Sequence, residues 1–88
     1  MKVEYLKSFK KDLLGLTNKQ LNVSIKKLIG ELESAENISI IKNVKKLKGH
    51  NYAYRIRIGD YRIGVFYEGE TVELARLVHR KDIYKVFP

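Results

Sequence analysis

The chain has 88 residues, of which 18 are lysine or arginine and 10 are aspartate or glutamate, so its formal net charge is +8. It contains no cysteine, which excludes disulfide bonds and thiolate metal ligands and is typical of a cytoplasmic protein. This length predicts one small domain over residues 1–88 and no membrane-spanning segment. The charge predicts an anionic partner, with nucleic acid as the first candidate and a membrane surface as a weaker one.

A short strand and two helices are predicted in the first half of the chain. Alternation over residues 2–6 indicates the strand. Ser8 is the expected N-cap of the first helix, which ends near Gly15. Thr17 and Gln20 match a capping box that begins the second helix. The helices present apolar faces made of Phe9, Leu13 and Leu16 in the first and Leu21, Ile25, Leu28, Ile29 and Leu32 in the second. Their tight connection predicts an αα-hairpin packed on a sheet.

The second half of the chain is predicted to be mostly antiparallel strands. Residues 35–43 are expected to form an irregular connection that packs Ile38, Ile40 or Ile41 inward. The strands follow at about 52–58, 61–67 and 71–79, and the tail 80–88 is expected to be one helical turn or a docked extended end. The fold class is therefore α+β, with an N-terminal strand and a two-helix hairpin on a sheet of about four strands, and a short C-terminal element.

The last predicted strand has an irregular pattern. Val72, Leu74 and Val78 are in phase as inward-facing residues, and Arg76 breaks that phase. Either a β-bulge or a half-buried Arg76 would account for the break, since an extra residue in one strand shifts the alternation of its side chains.

The most distinctive segment is the predicted hairpin around Gly59-Asp60, which suits a two-residue primed turn. Such a loop places Ile58 opposite Tyr61 and Arg57 opposite Arg62. Like charges directly across a ladder are destabilising, so this arrangement predicts an anionic ligand on that sheet face. The alternative interpretation is a solvated outer face, which is common in antiparallel sheets.

Several classes of chemistry have no support in the sequence. His50 and His79 are the only histidines, and no metal-ligand spacing, nucleophile elbow or phosphate-binding loop occurs, so no metal or cofactor is predicted. The remaining reactive groups are guanidiniums, imidazoles and tyrosines, which suit RNA. Tyr54, Tyr61 and Tyr84 are the candidates for stacking on unpaired bases, and alternation along the strands assigns Tyr54 and Tyr61 mostly to the core. In metal-free cleavage the 2′-hydroxyl attacks the adjacent phosphorus, and Arg57 and Arg62 could stabilise the charge that develops there.

The segments at 46–49, 54–63 and 79–84 together resemble the RelE/ParE superfamily of toxins from bacterial and archaeal toxin-antitoxin pairs. They read KLKG, YRIRIGDYRI and HRKDIY. The resemblance spans nearly the whole chain and is closer to the RelE branch. It implies a toxin that inhibits translation by cutting messenger RNA in the ribosomal A site without a metal ion.

The resemblance also implies roles for individual residues. Arg55 and Arg57 stand where the RelE branch has two basic strand residues, often lysines. Arg62 and Arg80 match arginines that stabilise or protonate at the phosphate. Tyr84 matches a C-terminal tyrosine that orients the attacking nucleotide.

The general base is where the chain departs from the family pattern. Arginine stays protonated, so Arg55 is a poor proton acceptor. An imidazole titrates near neutral pH, which makes His79, beside Arg80, the first candidate for this role and His50 the second.

A run of lysines precedes the hairpin and consists of Lys45, Lys46 and Lys48. It is interpreted as an RNA contact or, alternatively, as a solvated face.

Two partners and two alternative functions follow from the resemblance. The partners are the ribosome with its mRNA and a cognate antitoxin, expected to wrap an acidic amphipathic segment over the basic toxin. The first alternative is a ParE-like inhibitor of DNA gyrase that acts by protein contact, since the same hairpin occurs in that branch. The second is a non-enzymatic RNA-binding module, which the charge alone would support.

Overall fold

A computed structural model describes residues 1–88 and contains five strands and three α-helices. In chain order these are β1 (Lys2–Tyr5), α1 (Lys7–Leu14), α2 (Lys19–Ser34), a 3₁₀ turn (Ile38–Ile40), β2 (Val44–Lys46), β3 (Ala53–Ile58), β4 (Tyr61–Glu68), β5 (Thr71–His79) and α3 (Ile83–Val86). The predicted α+β class is confirmed, and the predicted tail contains one helical turn, α3. None of the helices combines the length and apolar character needed to cross a bilayer.

All five strands belong to one sheet with the order β1-β5-β4-β3-β2. Strand β1 pairs with β5 in parallel, and the other neighbours are antiparallel. The fifth strand, β2, was not expected from the sequence. It is only three residues long and pairs at the sheet edge with β3, and so short a basic segment lacks a detectable alternation.

Both helix starts differ from the sequence prediction. Helix α1 begins two residues earlier, with Leu6 at the N-cap and no capping side chain, and the Ser8 hydroxyl instead donates to the Ala75 carbonyl of β5. Helix α2 is capped by Asn18, whose Oδ1 accepts from the Leu21 backbone N–H at 3.0 Å, rather than by Thr17. Asparagine is as strong an N-cap as threonine or stronger, so neighbouring candidates compete.

The main core lies between the helices and one face of the sheet. Its buried side chains come from α1, α2, the segment after α2 and strands β3, β4 and β5; they are Phe9, Leu21, Ile25, Leu28, Leu32, Ala35, Ile38, Ile41, Ile56, Ile63, Val65, Val72, Leu74 and Leu77. The predicted apolar faces of both helices are therefore confirmed. Of the three candidate isoleucines in the connection, Ile38 and Ile41 are buried and Ile40 is exposed.

A bulge at Ala75 explains the irregular pattern of β5. Gly64 pairs with Arg76, but the next residue of β4 pairs with Leu74, so Ala75 is left as the extra residue. The alternation shifts there, and Leu77 joins the main core while Val78 lies on the other face. The expectation that Val78 is in phase with the upstream core residues is therefore wrong.

Arg76 is also half-buried, which was the second explanation predicted for the irregular pattern of β5. Its Nε donates to an Asp12 carboxylate oxygen at 2.8 Å, and both side chains are mostly buried. The same oxygen accepts from the Leu77 backbone N–H at 2.9 Å. Asp12 therefore ties α1 to the bulged part of β5 with charge-assisted hydrogen bonds.

A smaller cluster holds the C-terminal segment on the opposite sheet face. It contains Leu47, Ala53, Ala75, Ile83 and Phe87. The Phe87 ring packs on Gly64 so closely that a Cβ there would lie 2.6 Å from Phe87 Cγ. Its centroid is 5.0 Å from that of Phe66. The absence of a side chain at Gly64 thus makes room for the residue that anchors α3.

Candidate functional site

The hairpin between β3 and β4 has the predicted register. Ile58 lies opposite Tyr61 and Arg57 lies opposite Arg62. Gly59 has a φ of 60°, a left-handed conformation that glycine adopts without steric cost and that a two-residue primed turn requires. Two arginines are therefore held side by side across one ladder.

Three arginines share one face of the sheet, and we call Arg55, Arg57 and Arg62 the hairpin arginines. Directly opposed residues lie on the same face and side chains alternate along a strand, so this is the face that carries the smaller cluster. By the same rule, Lys45 joins them because it pairs with Arg55, whereas Lys46 pairs with Tyr54 and points to the other side.

The three lysines that were predicted to contact RNA therefore do not lie together. Lys45 lines a shallow groove of about 290 Å³ together with Arg55 and Arg57. Lys46 is exposed at the sheet edge, and Lys48 is exposed in the turn beyond β2. Their role in RNA binding stays a prediction, with Lys45 the best placed of the three.

Arg62 is the centre of the basic group. Its Nη1 donates to the carbonyls of Tyr61 at 2.9 Å and Gly59 at 3.0 Å. Partial burial lowers the pKa of Arg62 below its usual value, the positive charges of Arg55, Arg57 and Arg80 lower it further, and Tyr84 acts in the opposite direction. Arg62 therefore lies within electrostatic reach of every other predicted arginine and of the predicted tyrosine.

A backbone hydrogen bond brings the last two predicted residues to the hairpin. The Arg80 N–H donates to the Asp60 carbonyl at 2.8 Å, which fixes the turn after β5 against the hairpin tip. Helix α3 follows and carries Tyr84, whose side chain is 64% exposed. An exposed aromatic ring beside cationic groups is available for stacking on an unpaired base.

None of the four arginines is paired with a carboxylate. The ion pairs of the structure are Lys2–Glu4, Asp12–Arg76 and Asp82–Lys85, all formed by other residues. Neutral oxygens contact the hairpin arginines instead. The group Arg55, Arg57, Arg62 and Arg80, which we call the arginine cluster, therefore keeps its full positive charge for an external anion.

Asn43 is a contact of the site that the sequence did not point to. Its carbonyl accepts from the Arg57 backbone N–H at 3.0 Å and from Arg55 Nη1 at 3.4 Å. Its side-chain Oδ1 accepts from Arg57 Nη2 at 3.3 Å. Asn43 has a φ of 67° and is the only non-glycine residue with a positive φ. Asparagine adopts a positive φ more readily than most residues. An asparagine just before a basic segment was therefore the one feature of the sequence that could have pointed to Asn43.

His79 lies at the end of β5, apart from the hairpin arginines. It pairs with Tyr61, whereas Val78 pairs with Arg62, so the His79 side chain points to the opposite sheet face. The two rings of His79 and Tyr61 meet edge to face at 5.6 Å. Nδ1 accepts from the Lys81 backbone N–H at 3.2 Å, so this ring nitrogen is already engaged within the turn after β5. The predicted proton role of His79 therefore has little geometric support and stays a prediction.

The tyrosines assigned to the core by alternation are in the core. Tyr54 and Tyr61 both pack against the main cluster, and the Tyr54 ring meets Tyr67 edge to face at 6.0 Å. His50 is exposed in the loop between β2 and β3. No three histidine or carboxylate side chains come close enough together to hold a metal ion. Of the aromatic candidates, Tyr84 alone combines high exposure with proximity to Arg62.

Comparison with known proteins gives the family. No family model matches the chain. It is 40% identical over 89 aligned positions to Toxin RelE3 of Methanocaldococcus jannaschii, and the alignment covers all of both chains.

Solved structures agree with this relationship. One chain of the RelB-RelE antitoxin-toxin complex from Methanococcus jannaschii matches with a TM-score of 0.81 and 36% identity, covering 97% of this chain and 99% of the other. The archaeal RelE-RelB complex from Pyrococcus horikoshii matches with a TM-score of 0.72 and 24% identity, covering 93% and 97%, and shows the shared fold. The full-length sequence identity, the common topology and the arginine-bearing hairpin together place this protein in the RelE family of toxins.

Proposed function

We propose that this RelE-family toxin is a ribosome-dependent, metal-free endoribonuclease that cleaves messenger RNA in the A site. The arginine cluster carries the proposal, because three arginines without carboxylate partners act electrostatically on Arg62, which also has none, and the same group includes an exposed tyrosine. A phosphodiester is the ligand that suits such a group, since guanidinium donors match phosphate oxygens in pairs.

The proposed reaction begins with attack by the 2′-hydroxyl on the adjacent phosphorus. The P–O5′ bond breaks as O2′ gives up its proton and the leaving O5′ takes up one, which leaves a 2′,3′-cyclic phosphate and a 5′-hydroxyl. Arg62, its ladder partner Arg57 and Arg80 stabilise the negative charge that builds on the phosphoryl oxygens. Tyr84 stacks on a base and holds the nucleotide in line for the attack. Arg55 and Lys45 hold the neighbouring backbone.

The deciding experiment adds the purified protein to ribosomes programmed with a defined message and maps the new 5′ ends. We expect cuts within the A-site codon that end in a 5′-hydroxyl and disappear with Arg80→Ala. Lys27→Ala, which removes one exposed cation from α2, is the matched control and should cleave normally. Intact message together with inhibited gyrase supercoiling would reject the nuclease in favour of the ParE-like alternative. RNA binding without cleavage would favour the binding module.

We also propose an acidic RelB-type antitoxin as the partner. The net charge of +8 favours an acidic chain, and the 36% identical relative is described as a complex of RelB with RelE. Helices α1 and α2 each leave a large apolar side chain exposed, Leu14 at 87% and Val23 at 61%. These residues are suited to contact the apolar face of an amphipathic segment.

Co-expression tests this partner. Expression of the toxin alone should arrest growth, and co-expression of a small acidic antitoxin from a neighbouring reading frame should restore growth. Val23→Glu should weaken the rescue at least tenfold in antitoxin dose while leaving toxicity intact, because a charge would face an apolar partner surface. Ser34→Glu, an equal charge change at the exposed end of the same helix, should be rescued normally. Rescue of Val23→Glu at the wild-type dose would place the antitoxin elsewhere.

A further inference from the structure

We infer that Asn43 is a positioning residue that orients Arg57 and Arg55 for a phosphate ligand without neutralising them, an inference that rests on the proposed function for its link to cleavage. Asn43 belongs to the loop before β2 and faces the outer edge of the hairpin arginines. It contacts two members of the arginine cluster through two different oxygens, its backbone carbonyl and its side-chain Oδ1.

The geometry assigns a separate task to each oxygen. The carbonyl accepts from the Arg57 backbone at 3.0 Å and so fixes the strand, and it also accepts from Arg55 Nη1 at 3.4 Å. Oδ1 accepts from Arg57 Nη2 at 3.3 Å, which directs the guanidinium itself. Arg57 is exposed and directly opposite Arg62, so repulsion would otherwise turn its long side chain toward solvent.

The amide side chain of Asn43 leaves the positive charge of the arginine cluster intact. An aspartate at position 43 would offer the same acceptor geometry, but its charge would cancel one positive charge beside the groove lined by Lys45, Arg55 and Arg57. An amide dipole orients a cation and leaves its charge available to the ligand. Asn43 is thus matched to a site whose arginines have no carboxylate partner.

The backbone conformation makes a clean test possible. At a φ of 67° glycine is the one substitution without added strain, so Asn43→Gly removes Oδ1 and keeps the carbonyl in place. Asn43→Asp keeps both acceptors and adds a charge. Asn51→Asp is the matched control, because Asn51 is exposed in the loop between β2 and β3 and is not among the hydrogen-bond partners of the arginine cluster.

The first readout does not depend on cleavage. In nitrogen-15 spectra of the free protein at low temperature, the Arg57 Nη2 signal should be resolved in the wild type and Asn43→Asp and should be averaged in Asn43→Gly. Binding of a short single-stranded RNA should weaken about tenfold in Asn43→Asp. Loss of one effective phosphate contact should also reduce the magnitude of the slope of log affinity against log salt by about 0.7. Asn51→Asp should leave that slope within error of the wild type.

The second readout uses the ribosomal reaction. Asn43→Gly should lower kcat about five- to tenfold with little change in KM, because Arg57 loses orientation, whereas Asn43→Asp should mainly raise KM. In an Arg57→Ala background Asn43→Gly should cost nothing further, while in an Arg80→Ala background its effect should persist, provided residual cleavage is measurable. Such a cycle separates coupling to Arg57 from a general structural defect.

The inference is overturned if Asn43→Gly keeps the resolved Arg57 signal, or if Asn43→Asp binds RNA with the wild-type salt slope. Equal losses of kcat in the wild-type and Arg57→Ala backgrounds would also overturn it. If the wild type does not cleave messenger RNA on ribosomes, the proposed function fails, but the spectra and the RNA titrations still decide whether Asn43 orients Arg57.

Discussion

Arg62→Ala is expected to reduce the rate of mRNA cleavage on the ribosome by about 100-fold or more at saturating ribosome, the usual effect of removing one preorganised donor from a developing oxyanion. Arg62 lies at the centre of the arginine cluster, and two backbone carbonyls hold its Nη1 in place. Preorganised donors act most strongly on charge that develops in the transition state. The loss should therefore appear in kcat more than in KM, and single-turnover 5′-end mapping measures it.

Two further variants show whether the reduced cleavage rate of Arg62→Ala comes from the lost guanidinium geometry or from the lost charge. Arg62→Lys keeps a positive charge but has no planar pair of donors, so its rate should fall between those of Arg62→Ala and the wild type. Lys27→Ala should match the wild type, since it removes one exposed cation from α2. The urea midpoint of Arg62→Ala should stay close to the wild-type value, because its removal also relieves repulsion from Arg57. Undiminished cleavage by Arg62→Ala would exclude it as the charge-stabilising group.

Phe87→Ala is expected to lower the free energy of unfolding by about 3 kcal/mol and to reduce cleavage although the side chain is buried outside the arginine cluster. Phe87 fills the space over Gly64 and packs against Phe66, and with Ile83 it anchors α3. Loss of this contact should release the segment that carries Tyr84. Urea denaturation measures the stability, and hydrogen exchange over residues 80–88 measures the release.

Three control variants distinguish the anchoring of α3 from the chemical role of Tyr84. Val86→Ala removes a partly exposed apolar side chain from α3 and should change the stability by less than about 1 kcal/mol. Tyr84→Phe should leave the exchange pattern intact, because its ring stays and only an exposed hydroxyl is lost. Gly64→Val should reproduce the effects of Phe87→Ala, since a side chain there displaces the same ring. Wild-type exchange in Phe87→Ala would show that other contacts hold α3.

Local patterns predicted the parts of the site that depend on neighbours in sequence. Alternation and a glycine-containing turn are enough to place Arg57 opposite Arg62, because a two-residue loop determines the register of its hairpin. The same reasoning placed Tyr54 and Tyr61 against the core. The extent of the strand Thr71–His79 followed from its apolar composition and from the turn that precedes it.

Other features depended on contacts between distant segments. The bulge at Ala75 moves Leu77 into the main core and Val78 out of it, and a sequence pattern alone does not distinguish a bulge from a buried arginine. The use of Asn18 rather than Thr17 as a cap reflects two adjacent residues with similar preferences. His79 follows Val78 by one residue, and that one step places its side chain on the face opposite Arg62.

Charge, alternation and turn chemistry are local properties, so the amino-acid sequence by itself predicted a basic α+β domain with a hairpin that carries opposed arginines, and its resemblance to the RelE branch implied a toxin. The assembly of a site from that hairpin required the folded chain. Arg80 and Tyr84 reach the hairpin through a backbone bond to Asp60 and through Phe87 packed on Gly64. Asn43 reaches it from the loop before β2. These groups are separated along the chain, and only the pairing of strands and the packing of α3 bring them within interaction distance.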